Sequence, residues 1–97
     1  MKEKGRAGYS WDEKKNSWLK ENRGISFEDI VAAIDRGCLL DVIENPAQER
    51  YRGQFMYVVA IDNYVYLVPF ELRSEIIRLI TIIPNRKATK KYLKENE

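Results

Sequence analysis

From residue 38 onward, apolar blocks alternate with short polar breaks, and the block lengths predict strands. Cys38-Leu39-Leu40-Asp41-Val42-Ile43-Glu44 is the first, followed by a polar loop from Asn45-Pro46 to about Gly53. Phe55 to Ile61 and Tyr64 to Phe70 flank Asp62-Asn63, two residues that tolerate positive φ, so this pair predicts a hairpin. Pro69 has no N–H to give a ladder and is expected on an edge or at a strand end. After a polar connection from Glu71 to Glu75, Ile76 to Ile83 predicts a fourth strand.

The N-terminal half carries the helical period instead. Trp11, Trp18 and Leu19 fall at i, i+7 and i+8, predicting a helix from Trp11 to Asn22 with Asp12 and Glu13 in its first turn and Gly24 as its stop. Ser26-Phe27-Glu28-Asp29 reads as an N-cap followed by acids, close to a capping box. Phe27, Ile30, Val31 and Ile34 continue at helical spacing until Gly37. Residues 1–8 read as a flexible tail and 9–97 as one domain. Trp11, Trp18, Phe27 and Phe55 are expected in the core, and Cys38 as a small buried hydrophobe.

Pro84 ends the last strand and can open a helix, because it fixes φ and lacks an N–H. Arg86, Lys87, Lys90, Lys91 and Lys94 then place five cations within nine positions. Such a helix, launched from a strand, is either a solvated terminal face or a rigid mount for a phosphate chain. The whole is an α+β domain: two N-terminal helices, a four-stranded, mostly antiparallel sheet and a basic C-terminal helix.

Composition narrows the chemistry. The net charge is only +2, but it is unevenly spread: Glu28, Asp29, Asp35, Asp41, Glu44 and Glu49 face Arg36 alone between Glu28 and Glu49. That acidic flank suits a basic partner, and the basic C-terminal part suits an anionic one. The chain has no histidine and one cysteine, so no cofactor or metal is expected and acid–base work falls to Glu, Asp, Lys, Arg or Tyr. The lone Cys38 and the lack of a leader point to a cytoplasmic setting. The apolar runs are too short to span a bilayer as a helix, so no membrane is expected.

Three segments carry a family resemblance. Trp11-Asp12-Glu13-Lys14-Lys15-Asn16 is followed, thirteen positions after Trp11, by Gly24-Ile25-Ser26-Phe27-Glu28-Asp29, and the chain closes on Ile83-Pro84-Asn85-Arg86-Lys87-Ala88-Thr89-Lys90-Lys91. Together they resemble the BrnT family, the toxin halves of bacterial type II toxin–antitoxin modules, over roughly residues 9–94. The resemblance implies a fold like that of RelE-type ribonucleases. It also implies cleavage of RNA, free or on the ribosome, with inhibition of translation. The implied partner is a cognate antitoxin, through which alone operator DNA is bound. The sequence departs from the family at Asn22-Arg23, where members carry Lys-His, at Leu19 in place of an Asn, and at Thr81 in place of an Arg. The family's Gly-Glu-x-Arg-aromatic motif matches either Gly53-Gln54-Phe55-Met56-Tyr57 or, in a shifted register, Glu49-Arg50-Tyr51.

By that resemblance Arg86 and Lys87 are candidate catalytic residues at the strand–helix junction; a planar, always charged guanidinium suits a phosphate. Tyr92 is either a phenolic acid/base or a ring packed on the sheet. Glu49 is a general-base candidate if its loop folds over the sheet. Arg50 and Arg52 bracket Tyr51, an interleaving that fits either RNA binding or an ordinary polar loop. Lys90 and Lys91 are candidate RNA-backbone contacts. RNA supplies its own nucleophile, the 2′-OH, so such a site must position the backbone, move protons and stabilise negative charge. The alternative function is a non-catalytic binding module that keeps the fold and the antitoxin interface.

Overall fold

Two short helices, α1 (Glu13–Arg23) and α2 (Phe27–Asp35), meet at a tight corner in the computed structural model, which describes residues 3–6 and 8–93. Asp12 caps α1 by accepting from the Lys14 N–H, and Gly24 ends it in the left-handed region at φ 67°. The capping box at α2 is complete: the Ser26 hydroxyl accepts from the Asp29 N–H at 3.1 Å, and the Asp29 carboxylate accepts from the Ser26 N–H at 2.9 Å. Asn16, fully buried in α1, locks the corner. Its Oδ1 accepts from the Phe27 N–H and its Nδ2 donates to Glu28, both at 2.8 Å.

The sheet is larger than the four strands expected. Seven strands occur among the described residues: β1 (Glu3–Arg6), β2 (Tyr9–Asp12), β3 (Leu39–Glu44), β4 (Phe55–Ile61), β5 (Tyr64–Arg73), β6 (Ile76–Leu79) and β7 (Ile83–Pro84). Their order is β1-β2-β6-β5-β4-β3, with β7 also on β5. All pairings are antiparallel except β2 with β6, so the sheet is mixed. Residues 3–6, read above as part of a flexible tail, form β1, and Trp11 belongs to β2 rather than to the first helix. The tail's residues 1, 2 and 7, and Lys94 of the basic run, lie outside the described residues.

The hairpin between β4 and β5 turns on Asp62 and Asn63 at φ 52° and 65°, as the pair predicts. The polar connection after β5 is a second hairpin turn of the same kind, with Ser74 and Glu75 at φ 48° and 70°. Pro69 lies inside β5, not at an edge or end. It is tolerated because its side of β5 faces residues 80–82, where the expected fourth strand breaks between β6 and β7. There the Ile80 N–H donates to the Pro69 carbonyl at 2.9 Å, and the one return bond that the proline cannot make falls where the ladder already breaks. The Arg23 guanidinium donates to the Ile82 carbonyl in the same break and satisfies a backbone acceptor that the interrupted ladder leaves over.

The two faces of the sheet differ. On one, Tyr57, Val59, Val68 and Leu79 pack with Leu19, Phe27, Ile30 and Val31 of the helices, and Trp11 stacks on Phe27 at 5.6 Å. Trp18 and Phe55, expected in this core, are 45% and 40% exposed. With Trp11 in a strand, the helical register sends Asn16 and Leu19 inward and Trp18 outward, where Lys15 and Arg23 flank its ring at 4.9 and 5.2 Å. Cys38 is half-buried against the core. Among the described residues, the other face is covered by α3 (Arg86–Leu93) and the loop between β3 and β4. No helix among the described residues is long and apolar enough to cross a membrane.

Candidate functional site

Helix α3 is fixed to β5 at its first turn. The Asn85 N–H donates to the Val65 carbonyl at 3.0 Å, while the Val65 N–H donates to the Thr89 hydroxyl at 2.9 Å. Thr89 in turn donates to the Asn85 carbonyl at 2.8 Å, and Asn85 Oδ1 caps the helix by accepting from the Ala88 N–H at 2.7 Å. Thus β5 continues its pairing beyond β7 through a helix cap instead of a strand. At the far end of α3 the Tyr92 hydroxyl donates to Asp41 Oδ2 of β3 at 2.8 Å. The basic helix is therefore tied across the sheet at both ends.

Between α3, the sheet and the β3–β4 loop lies a groove made of two adjoining cavities that share Leu67 and Asn85. The larger, about 390 Å³, has walls from Met56, Pro69, Ile80 and Ile83 with Asn45, Tyr51, Gln54 and Thr81 around them. The smaller, about 240 Å³, is floored by Ile43 and Val58 and flanked by Lys87, Lys91 and Tyr92.

Helical geometry sorts the cations. Lys87 and Lys91 are one turn apart and line the groove, whereas Arg86 and Lys90, also one turn apart, are exposed on the adjacent flank and do not line it. Among the described residues none of these four takes part in an ion pair. Lys91 also stands 5.4 Å from the Tyr92 ring. The Tyr92 hydroxyl, then the Val42 N–H and the charge of Lys91, hold the Asp41 carboxyl below its ordinary value, so Asp41 is ionised near neutral pH.

The β3–β4 loop is ordered by its own amides. The Asn45 N–H donates to the Gln54 carbonyl, and Gln48 bridges the Asn45 and Gln54 carbonyls and the Gly53 N–H. This turns Tyr51, 42% exposed, toward the mouth of the larger cavity. Glu49, Arg50 and Arg52 are exposed on the turns and do not line the groove. Of the residues singled out in the sequence, the structure therefore groups Lys87, Lys91 and Tyr92, sets Arg86 and Lys90 beside them, and leaves Glu49, Arg50 and Arg52 on the loop. It adds Asp41, Gln54 and Asn85. Asn85 carries a readable signal, a capping residue type just before a run of helix formers; Asp41 carries none, because only the crossing of α3 brings it to Tyr92. No group of three or more Asp, Glu or Cys among the described residues is placed to hold a metal ion.

A family model described as "Ribonuclease toxin, BrnT, of type II toxin-antitoxin system" matches residues 11–91. No curated protein and no solved structure matches the chain.

Proposed function

The chain belongs to the BrnT family of ribonuclease toxins of type II toxin–antitoxin systems, and from that premise we propose that it is a metal-independent endoribonuclease working in the groove beneath α3. The convergence of Lys87, Lys91 and Tyr92 on one cavity carries this reading. In it the protein acts in the cytoplasm in the manner of RelE-type toxins, inhibits translation, and is neutralised by its cognate antitoxin, which alone contacts operator DNA.

The chemistry is that of RNA itself. The 2′-oxygen bonds to the adjacent phosphorus as the bond to the 5′-oxygen breaks; the 2′-OH gives its proton to solvent water, and Tyr92 gives one to the departing oxygen. Lys87 and Lys91 hold the phosphate and offset its added negative charge. Tyr92, whose hydroxyl donates to Asp41, is placed to turn that proton to the leaving oxygen when RNA fills the groove. Arg86, Lys90, Arg50 and Arg52 extend the positive rim that steers RNA into the groove. Glu49 reaches a proton only if its loop closes.

Purified protein should degrade RNA in EDTA and stop translation in a cell-free extract, and the antitoxin should relieve the arrest. A protein that binds antitoxin yet leaves RNA and translation untouched would instead be the non-catalytic module. Tyr92→Phe should lower kcat about 10²-fold, within the usual range for removing a general acid, with KM little changed. Asp41→Asn, which keeps a carbonyl acceptor but loses the charge, should cost less and flatten the acidic limb of the pH–rate profile. That limb reflects Asp41, whose lowered pKa means its charge is complete at neutral pH and is lost only as pH falls through that low value. Equal kcat for wild type and Tyr92→Phe would remove Tyr92 from the mechanism.

A further inference from the structure

We propose that the larger cavity is a nucleobase subsite that selects a base with a keto oxygen on its outer edge, uracil or guanine, over adenine or cytosine; this rests on the reading of the groove as an RNA site. Two side-chain amides set the donor pattern of the cavity. Asn85 Oδ1 accepts from a backbone N–H, that of Ala88, so the atom left free among the described residues is its NH₂ group. Asn45 Oδ1 likewise accepts from the Ala47 N–H, so Asn45 can only donate to Gln54 through Nδ2, at 2.7 Å. That fixes the bonded atom of Gln54 as Oε1 and leaves its Nε2 without a partner among the described residues.

Both free NH₂ groups belong to residues that line the same cavity. The donor pattern is therefore set by bonds whose direction cannot be reversed, since a backbone N–H never accepts. Uracil O4 and guanine O6 are acceptors and match it, while adenine N6 and cytosine N4 would meet a donor with a donor. Thr81 can donate or accept and does not discriminate. The surroundings suit a base. The cavity, about 390 Å³, has apolar walls of Met56, Leu67, Pro69, Ile80 and Ile83 with Tyr51 at its mouth, and it adjoins the lysine-flanked cavity where the attached phosphate would lie.

The test uses four 2′-O-methyl hexanucleotides, AAAXAA with X = U, G, A or C, which cannot be cleaved through a 2′-OH. Wild-type protein should bind the U and G oligonucleotides about tenfold more tightly than those with A or C, as one well-placed hydrogen bond against one donor clash allows. Asn85→Asp and Gln54→Glu keep the oxygen that caps α3 or accepts from Asn45 and turn the free NH₂ into an acceptor. Either change alone should erase the preference for U and G, since one donor remains, and the two together should reverse it, so that A and C bind better than U and G, even though the added charge weakens all four. Equal binding of the four by wild type, no binding of any, or an order unchanged in both variants would overturn the subsite. A protein that sorts the oligonucleotides but cuts no RNA keeps the subsite and loses the ribonuclease assignment. One that cuts RNA but sorts no base does the converse.

Discussion

Replacing Asn16 with leucine is expected to destabilise the fold by about 2–4 kcal/mol, although the two side chains are close in size. Asn16 is fully buried and makes two bonds that leucine cannot, to the Phe27 N–H and to the Glu28 carboxylate. The first lies in the interior, so its loss leaves a backbone donor with neither protein nor water. The added apolar surface offsets only part of that, because the site is already filled by Leu19, Phe27 and their neighbours. Urea unfolding should show the midpoint falling with little change in slope. A loss under about 1 kcal/mol would mean that another group takes over the Phe27 N–H. A pH corollary goes with it. The Asn16 hydrogen bond is the main cause holding the Glu28 carboxyl below its ordinary value of 4.5. A depressed carboxylate stabilises fully above its ordinary value and loses that contribution as pH falls through the lower, folded one. Stability of the wild type should therefore fall over that acid range, and Asn16→Leu should lose this part of the dependence.

The second large effect concerns RNA. Lys87→Ala/Lys91→Ala should weaken binding of single-stranded RNA and reduce the steepness of its salt dependence. Removing two cations from the phosphate chain changes the slope of log affinity against log salt by about 1.4, at about 0.7 per phosphate neutralised. Cleavage should fall further than binding, by about 10²-fold or more in kcat/KM, because charge facing the pentacoordinate phosphorus acts mostly in the transition state. Arg86→Ala/Lys90→Ala, which removes the same charge from the adjacent flank, should change the salt slope but spare the rate at saturating RNA. Fold stability should hold in both variants, since none of these four side chains is in an ion pair among the described residues. If the two double variants behave alike, the distinction between groove-lining and outer cations is wrong.

Much of the fold is legible in the sequence because local chemistry agrees with the tertiary outcome. Ser26 and Asp29 form the capping box that their spacing suggests, and Asp62-Asn63 turn the hairpin with both residues at positive φ. The basic helix after Pro84 is present, although Asn85 rather than the proline caps it. Expectation and structure part where one periodicity is carried across an element boundary. Trp11 matches a helical face but pairs in β2, and that shift turns Trp18 out of the core. The N-terminal strands are hidden because Lys4-Gly5-Arg6 has no apolar alternation; β1 pairs with β2, and β2 joins the sheet only through a parallel pairing to distant β6. Pro69 sits in a strand interior because of the gap at residues 80–82, which is not visible in sequence. At the site, charge runs reveal the cations but not their facing. The distinction between Lys87 with Lys91 and Arg86 with Lys90 needs the direction of α3, which Thr89 and Asn85 set by bonding Val65.

The central claim, that RNA is cut in the groove under α3, is tested most directly by single-turnover cleavage of an end-labelled RNA in EDTA. Wild type, Lys87→Ala/Lys91→Ala and Arg86→Ala/Lys90→Ala should be compared at saturating protein. Expected are products ending in a 2′,3′-cyclic phosphate from the wild type, a rate near wild type for the outer pair, and a loss of about 10²-fold for the groove pair. Cleavage that survives removal of Lys87 and Lys91 undiminished would contradict the claim.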